Sequence, residues 1–300
     1  MSALTPAPAP SPARDPSPDP HLPATPLRLA AVQAESVPGD VAGNAVHAAG
    51  LVGRAAAAGA RVAVLPELQV GGYDLAALAA GAGEVAADAA GIVDDPRLDA
   101  LRDAAVRDGI HVITGAAVRR PDGALTNSVL VADPAGTLLV RYDKQHLWHA
   151  DEARLFTPGR GGAAVEVGGW RLGLGVCYDM SFPEHARSAA LAGAHAYLCP
   201  SAYAAGNEHR AAVYLAARAL ENTVYSVFVN PVGGPADRPC AGGSLVFAPD
   251  STPLARAATP AREQVLTADL DPGAIARVRG FLHMLAEHRA ALPRPAPTPV

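Results

Sequence analysis

Three apolar runs in this chain each stop at a chemically reactive residue, and this pattern constrains the fold more than any other feature. Arg61-Val-Ala-Val-Leu-Pro-Glu67 ends in a carboxylate, Thr137-Leu-Leu-Val-Arg-Tyr-Asp-Lys144 in an ammonium, and Leu172-Gly-Leu-Gly-Val-Cys177 in a thiol. Short apolar runs bounded by polar turns read as buried strands. Groups just beyond the ends of such strands gather at one rim of an α/β sheet. Taken singly, Cys177 reads as a small core hydrophobe, and Glu67 and Lys144 as solvated loop charges. Together they are a nucleophile, a carboxylate that desolvation can make basic, and a cation able to stabilise an oxyanion.

The rest of the chain alternates in the same way. Strands are predicted over 27–33, 62–65, 111–119, 124–132, 170–176, 196–200, 223–230, 243–247 and 263–270, with one more leading into Lys144. Helices are predicted over 40–59, 94–108, 182–192 and 208–222. Pro121-Asp-Gly123 and Asp133-Pro-Ala-Gly136 are turn signals. This is an α/β pattern, and periodicity leaves the number of sheets open. After Cys177, Ser181 and Glu184 have capping-box spacing around Pro183, which places a helix start near the thiol. If that helix end faced the sulfur, its partial positive charge would favour thiolate.

The ordered motifs Leu65-Pro-Glu-Leu68, Tyr142-Asp-Lys-Gln-His-Leu147 and Gly175-Val-Cys-Tyr-Asp179 resemble those of the nitrilase superfamily of carbon-nitrogen hydrolases. Glu152 with Phe156-Thr-Pro-Gly159, Phe182-Pro-Glu184, Leu191-Ala-Gly-Ala194 and Arg218-Ala-Leu-Glu-Asn222 extend the likeness, which runs from about Leu27 to Leu270. The resemblance implies a four-layer αββα sandwich. It also implies a cysteine-dependent amidohydrolase working through a thioester, with Glu67 as base, Lys144 and the Tyr178 backbone N–H at the oxyanion, and Glu152 orienting substrate or supporting Lys144. Neither metal nor cofactor is implied.

In some relatives that act on acidic substrates an arginine follows the nucleophile by three or four residues. Met180 and Ser181 stand there, so a neutral or weakly polar linear amide fits better. N-carbamoyl or ureido hydrolysis, ω-amidase-like activity and nitrile hydrolysis on the same triad stay open, as does a binding module with an inert cysteine. Tyr203, His209, Trp148 and Ser181 are candidate pocket residues, although Ser181 also reads as a helix N-cap, and Asn207 as a cap for the next helix.

Half of the 300 residues are hydrophobic and the formal net charge is -5. A large core is therefore available, with no basic footprint for nucleic acid or an anionic membrane. The three cysteines, Cys177, Cys199 and Cys240, lack CxxC or metal-ligand spacing, which suits a reducing cytoplasm. No apolar stretch has transmembrane length. Residues 1–26 and 292–300 are Pro-rich and read as disordered extensions flanking a 27–270 hydrolase domain and a C-terminal arm that starts at 271. The likeness further implies a homodimer or higher homo-oligomer, with 277–288 reaching across an interface.

Overall fold

The structure is a computed structural model and describes residues 22–234, 239–259 and 261–291. The first half contains β1 (Leu27–Gln33), α1 (Val41–Ala57), β2 (Val62–Val64), α2 (Leu75–Ala79), β3 (Glu84–Ala86), α3 (Asp99–Asp108), β4 (His111–Arg119), β5 (Leu125–Ala132), β6 (Leu138–Asp143) and α4 (His149–Ala153). The second contains β7 (Ala164–Val167), β8 (Trp170–Leu174), α5 (Pro183–Leu191), β9 (Ala196–Pro200), α6 (Glu208–Asn222), β10 (Tyr225–Val229), β11 (Leu245–Phe247), β12 (Pro253–Arg256), β13 (Gln264–Leu270), α7 (Pro272–Phe281) and α8 (Met284–Ala291).

These strands form two sheets. One has the order β13-β1-β2-β4-β5-β6, with β3 also paired to β4, and the other the order β12-β11-β10-β9-β8-β7. Leu29, Val64, Ile113, Val129 and Val131 of the first sheet share one apolar core with Leu172, Leu174, Leu198 and Val227 of the second. The opposite face of the first sheet, with Ala30, Val32 and Leu130, packs on Ala45, Ala48, Leu51 and Leu101 of α1 and α3. Ala186, Ala190, Leu215 and Ala219 cover the second sheet from α5 and α6. The result is the expected four-layer αββα sandwich. Along the second half of β5 the side chains alternate accordingly, Val129 and Val131 into the inter-sheet core and Leu130 and Ala132 toward the helices.

Local chemistry accounts for the helix boundaries. Asp40 caps α1 by accepting from the Gly43 N–H, and the buried Val41, Ala45, Ala48, Val52 and Ala55 recur every three or four residues. Burying Val52 alone contributes about 1.5–3 kcal/mol. The single helix expected over 94–108 divides, because Asp95 caps a 3-10 turn opened by Pro96 before α3 begins at Asp99. β3, β7, β12, α2 and α4 are three to five residues long, too short for a periodicity to register.

The ends of the chain also depart from expectation. Residues 22–26, assigned by composition to the Pro-rich extension, are held in place: Leu22 packs on the inter-sheet core and the Trp170 indole donates to the Thr25 carbonyl at 2.8 Å. The preceding residues and 292–300 lie outside the described residues. β13 pairs antiparallel with β1 from Leu27↔Leu270 to Gln33↔Gln264, joining the two ends of the domain. The arm beyond it is two helices, α7 burying Ile275 and α8 burying Leu285.

Strand direction sets the functional rim. β1, β2 and β4 are mutually parallel, and two antiparallel steps bring β6 back to the same direction. β8, β9 and β10 are parallel in the second sheet. Mid-β4, Gly115 donates its N–H to the Pro66 carbonyl at 3.0 Å. A Cβ there would overlap the Leu68 nitrogen and lie 2.7 Å from Glu67 Cα. Gly115→Ala is therefore expected to lower stability by about 1–3 kcal/mol through overpacking and to cut turnover as well. Urea unfolding together with a rate assay checks this, and unchanged values for both would contradict it.

Candidate active site

Glu67 follows β2 and is held on both sides, its N–H donating to the Ser201 carbonyl of the second sheet at 3.3 Å. Its carboxylate is fully buried. Oε1 accepts from Lys144 Nζ at 2.7 Å and from Asn127 Nδ2 at 2.8 Å, while Oε2 has no hydrogen-bond partner among the described residues. Lys144, just past β6, is equally buried and is seated by backbone bonds to Asn127 on β5 and Gly159. Glu152 reaches in from α4, its two oxygens 2.9 and 2.8 Å from Nζ. The Tyr73 hydroxyl at 2.6 Å and the Trp148 N–H at 2.7 Å satisfy the rest of that carboxylate.

Cys177 adopts a positive φ of 47° at the start of a 3-10 turn, Cys177–Ser181, directly after β8. Asp179 anchors that turn by accepting from the Val176 and His146 N–H groups, both at 2.9 Å, and from the Tyr142 hydroxyl at 2.6 Å. His146 also contacts Asp179 through Nδ1 at 2.8 Å and stacks on Phe182, as a structural histidine does. Arg218 donates to the Met180 and Ser181 carbonyls from the other side. No hydrogen bond takes the Tyr178 N–H among the described residues, which leaves it available at the nucleophile.

Electrostatics separate the roles that these groups can play. Burial, then the neighbouring Glu67 charge, pushes the Cys177 thiol well up, while Lys144 and the Ala202 N–H oppose this. The resting cysteine is therefore a thiol at neutral pH. Burial also raises the Glu67 carboxyl, with Lys144 and Asn127 pulling it down. Burial disfavours the Lys144 charge, yet Glu67, Cys177 and Glu152 hold it above the usual lysine range. A raised carboxylate beside a neutral thiol and a permanent cation can take a proton and stabilise an oxyanion.

The expected capping box is absent. Phe182, with no side-chain bond, occupies the N-cap of α5, because the 3-10 turn consumes Ser181. Helix α5 starts six residues beyond the sulfur, and the thiol is raised, not lowered.

Cys177 lines a cleft of about 70 Å³ with Tyr73, Trp148, Ala202 and Tyr203. Of the four sequence candidates, Trp148 and Tyr203 border it, while Ser181 and His209 do not. His209 is exposed on α6, and one helical step onward Arg210 faces the cleft together with Asn207. Asn207 occupies the N-cap position of α6 but makes no side-chain cap. Arg210, Tyr73 and Asn127 escaped the sequence reading, which had Asn207 only as a helix cap and Asp179 only as a member of the nucleophile motif. Of those three, Asn127 carried a signal, as part of a polar trio inside the apolar run Leu125–Ala132.

Comparison with known proteins gives the family. The family model for carbon-nitrogen hydrolases matches residues 28–280. The chain belongs to the carbon-nitrogen hydrolase family. It is 33% identical to a Pseudomonas protegens protein described as a hydrolase in the pqqF 5' region, covering 89% of this chain and 90% of that one. It is 32% identical to the deaminated glutathione amidase of Escherichia coli O157:H7, over 84% and 93%. Among solved structures it resembles a variant of the Nesterenkonia sp. AN1 amidase, with TM-score 0.72, 27% identity and 90% and 99% coverage. That amidase carries the acetamide moiety of fluoroacetamide covalently added at its active-site cysteine.

A Glu67 acting as general base must be ionised, so activity is expected to fall as pH drops through its raised value. The acid limb of kcat/KM is expected above the ordinary carboxylate range of about 4.3. Asn127→Ala removes a hydrogen bond to the charged form and should move the limb higher still. A pH profile of both proteins checks this, and coincident limbs would refute the Glu67–Asn127 coupling.

Proposed function

We propose that this carbon-nitrogen hydrolase cleaves the C–N bond of a small linear carboxamide and releases ammonia through a thioester on Cys177. Glu67 Oε2 takes the Sγ proton as sulfur attacks the carbonyl carbon. Lys144 Nζ and the Tyr178 N–H stabilise the resulting oxyanion, and Glu67 passes the proton to the departing nitrogen, leaving ammonia and the acyl-enzyme. Water, deprotonated by Glu67, then attacks the thioester, and the thiol recovers its proton as the carboxylic acid leaves. Glu152 holds Lys144 in place. The supporting observation is the unpartnered Oε2 of a buried Glu67 in the electrostatic neighbourhood of a neutral thiol. A cleft of about 70 Å³ suits a short substrate.

We also place the protein in the cytoplasm, where its free cysteines stay reduced. Among the described residues no helix is long and apolar enough to cross a membrane. Val213 and Leu220 are exposed on α6 and Phe281 on α7, which supports pairing of two chains through that side of the sandwich.

Cys177→Ala and Cys177→Ser should each lose ammonia release by ~10³-fold or more. Full retention in both would sink the mechanism. A panel of amides, nitriles and N-carbamoyl compounds should give the highest kcat/KM with an amide, and a nitrile ranking first would reassign the activity. Light scattering at micromolar concentration is expected to find a dimer or larger, and a monomer alone would reject the pairing.

A further inference from the structure

Met180 and Ser181 leave no arginine just after the nucleophile. The fold supplies a guanidinium from elsewhere. Arg210, in the first turn of α6, lines the same cleft as Cys177. Its guanidinium carbon lies 6.0 Å from the Trp148 ring centroid and 5.9 Å from that of Tyr203, so two aromatic walls hold the planar group. Among the described residues its one hydrogen bond runs from Nη2 to Asn207 Oδ1 at 3.1 Å, and Nε is buried without a partner. No carboxylate among the described residues pairs with it, in contrast to Arg28, Arg97, Arg119 and Arg120, which all have acidic partners.

A guanidinium has five N–H donors in a flat fork that matches a carboxylate. Here that fork lines the same cleft as the reactive thiol, with most of its donors unused and no counter-ion among the described residues. The charge balance of the cluster beside Cys177 adds a second reason. Glu67 and Glu152 outweigh Lys144 by one negative charge, so an anionic end of a substrate is repelled there and attracted toward α6. The N-terminal end of that helix carries the same favourable sign as Arg210.

We propose that Arg210, positioned by Asn207, Trp148 and Tyr203, forms a carboxylate subsite, and that the preferred substrate is a short linear carboxamide bearing a carboxylate at its far end. This deepens the amidohydrolase reading and rests on it. The cleft volume admits roughly five to seven water-sized groups, which limits the chain between the two ends to a few carbons. Arg210 is a specificity residue and takes no part in the chemistry at sulfur.

The test compares kcat/KM for ammonia release from succinamate and glutaramate with that from butyramide and valeramide. Wild-type protein is expected to favour the acids. In Arg210→Gln the acid-to-neutral ratio should fall by about 10- to 100-fold, the range for hydrogen bonds to a charged group, with the loss mainly in KM. Arg210→Lys should recover part of that ratio, because it keeps the charge and loses the fork. Independently of any variant, succinate should compete with substrate in the wild-type protein where succinamide at equal concentration competes less. A ratio that stays within about twofold in Arg210→Gln, or equal inhibition by succinate and succinamide, overturns the subsite while leaving the amidohydrolase intact. Failure of the wild-type protein to release ammonia from any of the four amides overturns both.

Discussion

A single buried ammonium organises the functional end of this molecule. Lys144 lies between Glu67 and Glu152 with none of the three side chains exposed. Removing three charges from water costs several kcal/mol each, and their mutual attraction offsets that only where the remaining lone pairs are also satisfied. The surroundings meet that demand through Asn127, the Tyr73 hydroxyl and the Trp148 N–H. These partners arrive from β5, from the loop before α2 and from the segment that opens α4. The cluster therefore requires much of the first sheet's connectivity before it is stable. Of the two carboxylates' four oxygens, Glu67 Oε2 is the one without a hydrogen bond among the described residues, and in the proposed chemistry that atom takes the proton.

The nucleophile comes from the other sheet, so the two halves must be held in register. Asp179 does this, since it belongs to the turn after β8 yet accepts from Tyr142 on β6 and from His146 two residues beyond Lys144. Burial opposes its charge, but hydrogen bonds from His146 and Tyr142 and the proximity of His185 keep it below the usual carboxylate range. The hydrogen bond that sets the shape of the thiol's turn thus also sets its position relative to the cation. Arg218 closes the same turn from α6.

The sequence disclosed the strand ends because buried strands are apolar and their stops are abrupt. β4, β9 and α6 fall where the pattern places them, and Glu67, Lys144 and Glu152 converge. What was hidden depends on contacts remote in sequence. Nothing near Tyr73 announces that its hydroxyl meets Glu152, seventy-nine positions away. Ser181 looked like a cap because capping spacing is local, whereas the 3-10 turn that displaced it is held by Asp179 and Arg218. His209 and Arg210 are adjacent, and only the rotation of α6 decides which one reaches the cleft. Sheet number was likewise illegible, since a strand buried on both faces has the same composition in one sheet or two.

The backbone at Cys177 has a consequence for stability as well as for chemistry. A side chain at φ 47° sits in the left-handed region, where non-glycine residues pay about 1–2 kcal/mol. The surrounding hydrogen bonds carry that strain so that the sulfur is presented at the end of β8. Glycine would relieve it at this one position while deleting the thiol. The thiol is thus kept at a local cost in backbone strain, and a selection for thermal endurance alone would favour glycine here and an inert fold.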